Sequence, residues 1–239
     1  SPREDPKGLM RSLRAAIARL RASLLQSIGD VTFGMEDGAV SIAGLVFGVA
    51  ASTNDAQIVV LAGATGAVAG AVSMMAGTYL DVHSERSLAT AQVERARLGL
   101  EARVVGLNKV GLRRAGFTPD ETDAVIAGLR RNPDALLSYI AAFELGVPMR
   151  TESSPRAHAL WMFVADLFAA SVPVVPFLLF PIETARIVSL VVTGALMAAL
   201  GVARALIGHE SVYRTALQTM GIAGAAALAG VLIGRLVTA

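Results

Sequence analysis

Five long apolar stretches dominate the chain, at residues 28–51, 58–80, 157–180, 187–207 and 216–237. A helix needs about 20 residues to cross roughly 30 Å of hydrocarbon, and each stretch is long enough. Within that layer water cannot serve the backbone, so each segment must satisfy its own N–H and C=O groups by coiling into a helix. The expected fold is therefore an all-α integral membrane protein with five transmembrane helices. The polar connections at 52–57, 181–186 and 208–211 are short, which makes the spans they join antiparallel neighbours. Charged residues make up only 17% of the chain, below the roughly 25% of soluble domains. Mean hydropathy is +0.59. Glycines recur inside the spans, among them Gly34, Gly38, Gly44, Gly48, Gly63, Gly66, Gly70 and the pair Gly230 and Gly234. Such small residues let membrane helices approach closely.

The basic residues set an orientation. Six precede the first span, eleven lie between spans two and three, and Arg204 and Arg214 flank the last connection, whereas only Arg186 and Arg235 fall on the opposite side. Lys and Arg collect on the cytoplasmic side. The N-terminus and the segment between spans two and three are thus expected in the cytosol, and the C-terminus outside. Nearly all of this basic charge is Arg, which suits a high-GC bacterial source and hence a bacterial inner membrane. There is no cysteine, which excludes disulfide scaffolds, thiolate metal sites and cysteine nucleophiles. A net charge of +2 gives no reason to expect nucleic acid as a partner; the bilayer is the expected one.

Four segments follow. Residues 1–27 hold an amphipathic stretch, with Leu9, Leu13, Ile17, Leu20 and Leu24 at spacings of three and four, expected to lie on the lipid surface. The first residue is Ser1 rather than Met, which points to further residues upstream. Residues 28–83 hold spans one and two, and 157–239 hold spans three to five. Residues 84–156 form a small cytosolic helical domain. Span two is expected to run on to about residue 103, followed by helices at about 101–115, from Pro119 to near Arg131, and from Asn132-Pro133-Asp134 to Gly146. Thr118, Pro119 and Glu121 form a capping box at the start of the third of these.

Ionisable groups inside a span are costly and mark candidate functional positions. Asp37 falls about ten residues into span one. Asp30, Gly34, Asp37, Ser41 and Gly48 make a polar, small-residue stripe. Glu36 adjoins Asp37 but points about 100° away, towards a path shared with a second subunit or towards an Arg partner. In span two, Met74, Thr78 and Asp81 recur at i, i+4 and i+7. A carboxylate with a thioether suits a borderline-soft divalent metal such as Fe2+. Span three adds Asp166 and the prolines Pro173 and Pro176, which free backbone carbonyls. His83, His158 and His209 sit at span ends, where an interfacial role is expected. No Gly-rich phosphate loop, nucleophile elbow or His-x-x-x-His pair is present, which argues against an enzyme, a tightly bound cofactor or an ATP-driven pump.

Gly34-Met-Glu-Asp-Gly-Ala-Val-Ser41 resembles the Gly-x-x-Asp-Gly-x-x-Ser signature of span one in the vacuolar iron transporter family. Ala69 to Gly77, running on to Val82-His-Ser84, is similar to that family's span two. Asn132-Pro-Asp-Ala135, Glu144-Leu-Gly146, Pro173, Pro176 and Ile233-Gly-Arg235 fit its later segments, so the resemblance covers about residues 25–237. It implies a homodimer of five-span subunits that exports cytosolic Fe2+, and often Mn2+, in exchange for protons, along a path between the subunits. The family's span-one Asp falls on Asp37 and its span-two Met on Met74. Asp30 or Asp81 would then supply the gate ligands. The family also gathers metal on glutamates of the middle domain, where Glu94, Glu101 and Glu144 match and Glu85 is a further candidate.

Two departures bear on function. Thr78 stands where a Glu is common in the family, three residues after the methionine pair. Residues 84–156 hold nine acids against eleven bases, a poor composition for a multi-metal carboxylate cluster, so weak or no metal binding is expected there. Two alternatives to metal transport stay open: a non-transporting scaffold or anchor of a metal-handling protein, and a transporter of the same fold with another substrate. The intramembrane acids favour transport.

Overall fold

A computed structural model of the chain describes residues 6–98, 109–114, 116–140, 142 and 154–238. The regular elements among them are helices: α1 (Pro6–Gln26), α2 (Ile28–Ser52), α3 (Ala56–Leu98), α4 (Lys109–Arg114), α5 (Pro119–Arg131), α6 (Pro133–Tyr139), α7 (Pro155–Leu179), α8 (Ile182–Gly208) and α9 (Val212–Thr238). Five of them, α2, α3, α7, α8 and α9, are long and apolar enough to cross a membrane. The chain forms two compact units, one of residues 1–80 with 154–239 and one of residues 81–153.

In the first unit α2 is the central helix, packed along its length against both α7 and α9. The register with α7 is regular. Asp30 meets His158, Gly34 meets Met162, and Gly38 meets Asp166. Ile42 and Val46 share an apolar cluster with Ala170 and Val174. Each contact lies four residues beyond the last on both helices, so α2 and α7 run parallel with one row of side chains interlocked. Glycine makes this possible: a Cβ on Gly38 would collide with the carbonyl oxygen of Asp166.

The α2–α9 seam is closer still. A Cβ on Gly230 would collide with the carbonyl oxygen of Gly44, one on Gly234 with that of Gly48, and one on Gly48 would stand 2.9 Å from that of Gly230. Two glycines four apart on each helix therefore bring the backbones into direct contact, a common solution where lipid supplies no hydrophobic drive to associate. Along α3, Gly63 faces Val46 and Val174, Gly66 faces Leu45 and Ile42, and Gly70 faces Asp166. Ascending numbers on α3 meet descending numbers on α2, as the short connection at 53–55 requires.

Two helices begin four or more residues before the hydropathy boundaries. The fourth span starts at Ile182 rather than 187, and the fifth at Val212 rather than 216. Polar residues that lower local hydropathy have specific partners there. Arg186 Nη2 donates to Ala50 O at 2.5 Å, and to Thr53 O and Asn54 Oδ1 at 3.1 Å. Its guanidinium thereby covers the last carbonyls of α2. Thr215 Oγ1 donates to Glu210 Oε2 at 2.9 Å. The α8–α9 turn passes through His209 in the left-handed region, φ 53°. Pro173 and Pro176 lie inside α7, where they leave the Ala169 and Val172 carbonyls without their helical donors. Ser189 Oγ of α8 donates to Pro173 O at 2.7 Å.

α1 leaves Leu13, Ile17 and Leu20 more than half exposed, an apolar face of the kind that lies on lipid. Trp161 Nε1 donates to Ser23 Oγ at 3.1 Å, tying α1 to α7.

The second unit has a small core of Ala96, Ile126, Leu136 and Ile140. The capping box on α5 forms as expected, with Glu121 N–H donating to Thr118 Oγ1 and Thr118 N–H donating to Glu121 Oε2. Asn132 Oδ1 accepts from Ala135 N–H at the start of α6. The helix expected at about 101–115 is described only from Lys109 to Arg114, and the stretch up to Gly146 only as far as residue 142.

Candidate functional site

The acids of α2 and α7 separate into three environments. The first lies at the start of α2. Asp30 Oδ2 lies 2.5 Å from His158 Nδ1, so this acid is paired across to α7. His158 Nε2 is buried without a partner.

The second is on another side of α2. Glu36 Oε2 accepts from Arg204 Nη1 of α8 at 3.2 Å, within a cleft of about 500 Å³ that Thr32 and Glu210 also line. Of the two roles open for Glu36 from the sequence, the Arg partner is the one present in this chain. Glu36 Oε1 is buried and unpartnered.

The third holds Asp37 and Asp166. Asp37 is half-buried on α2, next in sequence to Gly38, which packs against Asp166 of α7. Asp166 is only 2% exposed. Its carboxylate is bracketed by two glycines. A Cβ on Gly38 would stand 2.8 Å from Asp166 Oδ1, and one on Gly70 of α3 would lie 4.0 Å from Oδ2. Among the described residues, no hydrogen-bond donor or cation is placed on either carboxylate. The hydroxyl of Ser41 is directed back to the Asp37 carbonyl, 2.7 Å. Two acids without compensation in a membrane span form an arrangement that demands positive charge.

Met74 is half-buried on α3, four residues beyond Gly70 and so one turn further along the same face. The α2–α3 ladder through Gly63, Gly66 and Gly70, extended by one rung, sets Met74 level with Gly34, a turn from Asp37. Met162 is at that level too, its Sδ 2.7 Å from where a Gly34 Cβ would be. A carboxylate pair with thioether sulfur within a turn is a donor set for a borderline divalent cation.

The sequence stripe on span one is divided by the structure. Asp30, Gly34 and Gly38 face α7, whereas Gly48 faces Gly230 of α9. Asp30 and Gly48 are five whole turns apart on α2, so one line of this helix meets α7 at its start and α9 towards its end. Asp166, which the sequence marks only as an acid in span three, is the most buried acid among the described residues. Its link to Asp37 depends on the α2–α7 register, which no local pattern encodes. An acid within the small-residue run of span three was the only available signal.

In the second unit, Asp81 and Glu94 are exposed, as is Glu85. Glu101 and Glu144 lie outside the described residues. Among the described residues, no group of three or more His, Asp or Glu side chains is positioned to hold a metal ion.

A model of the VIT family matches residues 28–235. The chain is 29% identical to vacuolar iron transporter 1 of Eucalyptus grandis over 199 residues, covering 80% of this chain and 79% of that one. It is 26% identical to vacuolar iron transporter 1 of Arabidopsis thaliana over 215 residues, covering 88% and 86%. A shorter match, 41% over 77 residues, links it to vacuolar iron transporter homolog 1 of Oryza sativa subsp. japonica, covering 32% and 33%.

Proposed function

Because the chain belongs to the VIT family, we propose that it transports Fe2+, and Mn2+ as a second substrate, out of the cytosol in exchange for protons, as a homodimer. Asp37 is the exchange site and Met74 the soft ligand. Asp30, held by His158, or else Asp81, supplies the gate ligand. The relatives named as iron transporters align over most of their own length, which supports metal as the substrate class. The main support within the chain is Asp37, which lies on a transmembrane helix beside a buried second acid with no cation on either. A carboxylate in that setting is neutralised by a proton or a metal, and a metal can bind only when the proton has left. Competition between the two at one group couples their movements.

The experiment is purified protein in liposomes with an entrapped divalent-metal dye, a pH-sensitive dye and an imposed pH gradient. Metal entry accompanied by opposite proton movement is expected from the wild type. Asp37→Asn preserves shape and removes charge, so it should stop both signals while the protein still purifies as a dimer. Folded Asp37→Asn protein that moves metal at the wild-type rate would refute the assignment.

A further inference from the structure

We infer that Asp166 is a second carboxylate ligand of the transported cation, so that the membrane site of this chain is built from two acids on parallel helices, Asp37 on α2 and Asp166 on α7. This rests on the transport function proposed above and adds to it a residue and a selectivity.

Three observations carry the inference. Asp166 is 2% exposed and has no donor or cation among the described residues. A buried acid kept for packing or helix pairing would be expected to accept hydrogen bonds, because an unpaired one is costly to bury. Asp30 shows the difference, since it pairs with His158. Second, the space around the Asp166 carboxylate is made by glycines. Gly38 brings the α2 backbone against it, and Gly70 leaves the α3 side open, 4.0 Å from even a hypothetical Cβ. A larger residue at Gly38 would displace α7. Third, Asp37 adjoins Gly38, the residue packed against Asp166, and the two carboxylates together carry the charge that balances one divalent cation. A cation between them would bridge α2 and α7.

Donor chemistry gives the consequence. Two hard carboxylates beside a thioether move the preference of the site towards oxygen-seeking ions such as Mn2+ and away from soft ones such as Cd2+. Removing the Asp166 charge should move it back.

The test uses the full chain purified in detergent, with Mn2+ binding followed by the loss of the free-ion electron paramagnetic resonance signal. Mn2+ and Cd2+ uptake are measured in parallel after reconstitution. Loss of a ligand should weaken Mn2+ binding at least about tenfold, since even outer-shell changes cost about 10- to 100-fold. Asp166→Asn should show that loss, with a smaller loss for Cd2+, so the Mn2+ to Cd2+ uptake ratio falls. Unchanged Mn2+ affinity and ratio in a folded Asp166→Asn protein would overturn the inference. Should that variant fail to fold, the wild type supplies the reading through modification by a hydrophobic carbodiimide, mapped by mass spectrometry. Mn2+ should protect both Asp37 and Asp166; protection of Asp37 alone would overturn the role of Asp166 and leave the transport function standing. A wild type that neither binds nor moves any divalent metal would overturn both.

Discussion

The glycine seam between α2 and α9 gives a sharp stability prediction. A Cβ on Gly230 would overlap the carbonyl oxygen of Gly44, and one on Gly234 that of Gly48. A carbon sits comfortably at about 3.3–3.6 Å from a carbonyl oxygen, so Gly230→Ala requires the two backbones to separate by more than about 1 Å. The obstacle is backbone and cannot rotate away, which puts the overpacking cost at the upper end of the usual range, about 3 kcal/mol. Replacing a helical glycine by alanine returns up to about 1 kcal/mol. The net loss is then about 2 kcal/mol, or roughly 4–8 °C in Tm for a chain of this length. Gly221 and Gly224 lie on the same helix, with nothing within 4 Å of the place an added methyl would occupy. Gly221→Ala and Gly224→Ala should therefore leave Tm unchanged or raise it. Thermal denaturation in detergent, read by Trp161 fluorescence and size-exclusion chromatography, separates the two groups. A Tm for Gly230→Ala at or above that of the wild type would refute the close approach of these helices.

Other perturbations probe other parts of the fold. Hydrogen bonds from the Thr118 backbone and hydroxyl hold the Glu121 carboxyl below its ordinary value of 4.5. A depressed folded-state pKa means that the capping contribution is fully present above about 4.5 and fades as pH falls through the lower folded value. Amide protection at the start of α5 should drop on acidification in the wild type and be pH-independent in Glu121→Gln; equal profiles would count against the box. Arg186→Lys should lose about 1–3 kcal/mol, because one ammonium cannot replace a guanidinium fork that reaches Ala50, Thr53 and Asn54. A Lys variant as stable as the wild type would show the fork to be dispensable. A cytosol-only fluorescent reporter fused after Ala239 should stay dark and one inserted after Gly116 should fluoresce; a bright C-terminal fusion would overturn the proposed orientation.

The spans were legible because hydrocarbon leaves the backbone a single solution, and hydropathy reads it directly. Their starts were less so. Glu183 and Arg186 look like loop residues by hydropathy, yet both lie in the first turns of α8, with Arg186 reaching across to α2. The Thr118–Glu121 box was readable since its partners are three residues apart. The candidate site was half readable. Asp37 and Met74 stand out as unusual residues in apolar helices, and each can be found without knowing its neighbours. Asp166 gains its meaning from the stretch of α2 around Gly38, more than a hundred residues away, and so does Arg204 opposite Glu36. Such pairings depend on which helix faces which, and that is settled by glycine contacts along whole helices.

Because the spans are odd in number, their peptide dipoles do not cancel. α2, α7 and α9 run one way and α3 and α8 the other, leaving the equivalent of one helix unopposed. Its negative pole, worth about half an elementary charge, lies on the side where α2 ends at Ser52, α7 at Leu179 and α9 at Thr238. Arg186 and Arg235 lie near those same ends, where they offset part of that field. A cation released from the middle of the bundle towards that side moves down the residual gradient, and one moving back must climb it. The direction of the helices thus gives a cation at the middle of the bundle a small built-in bias towards the side where α2 ends, before any gradient is applied.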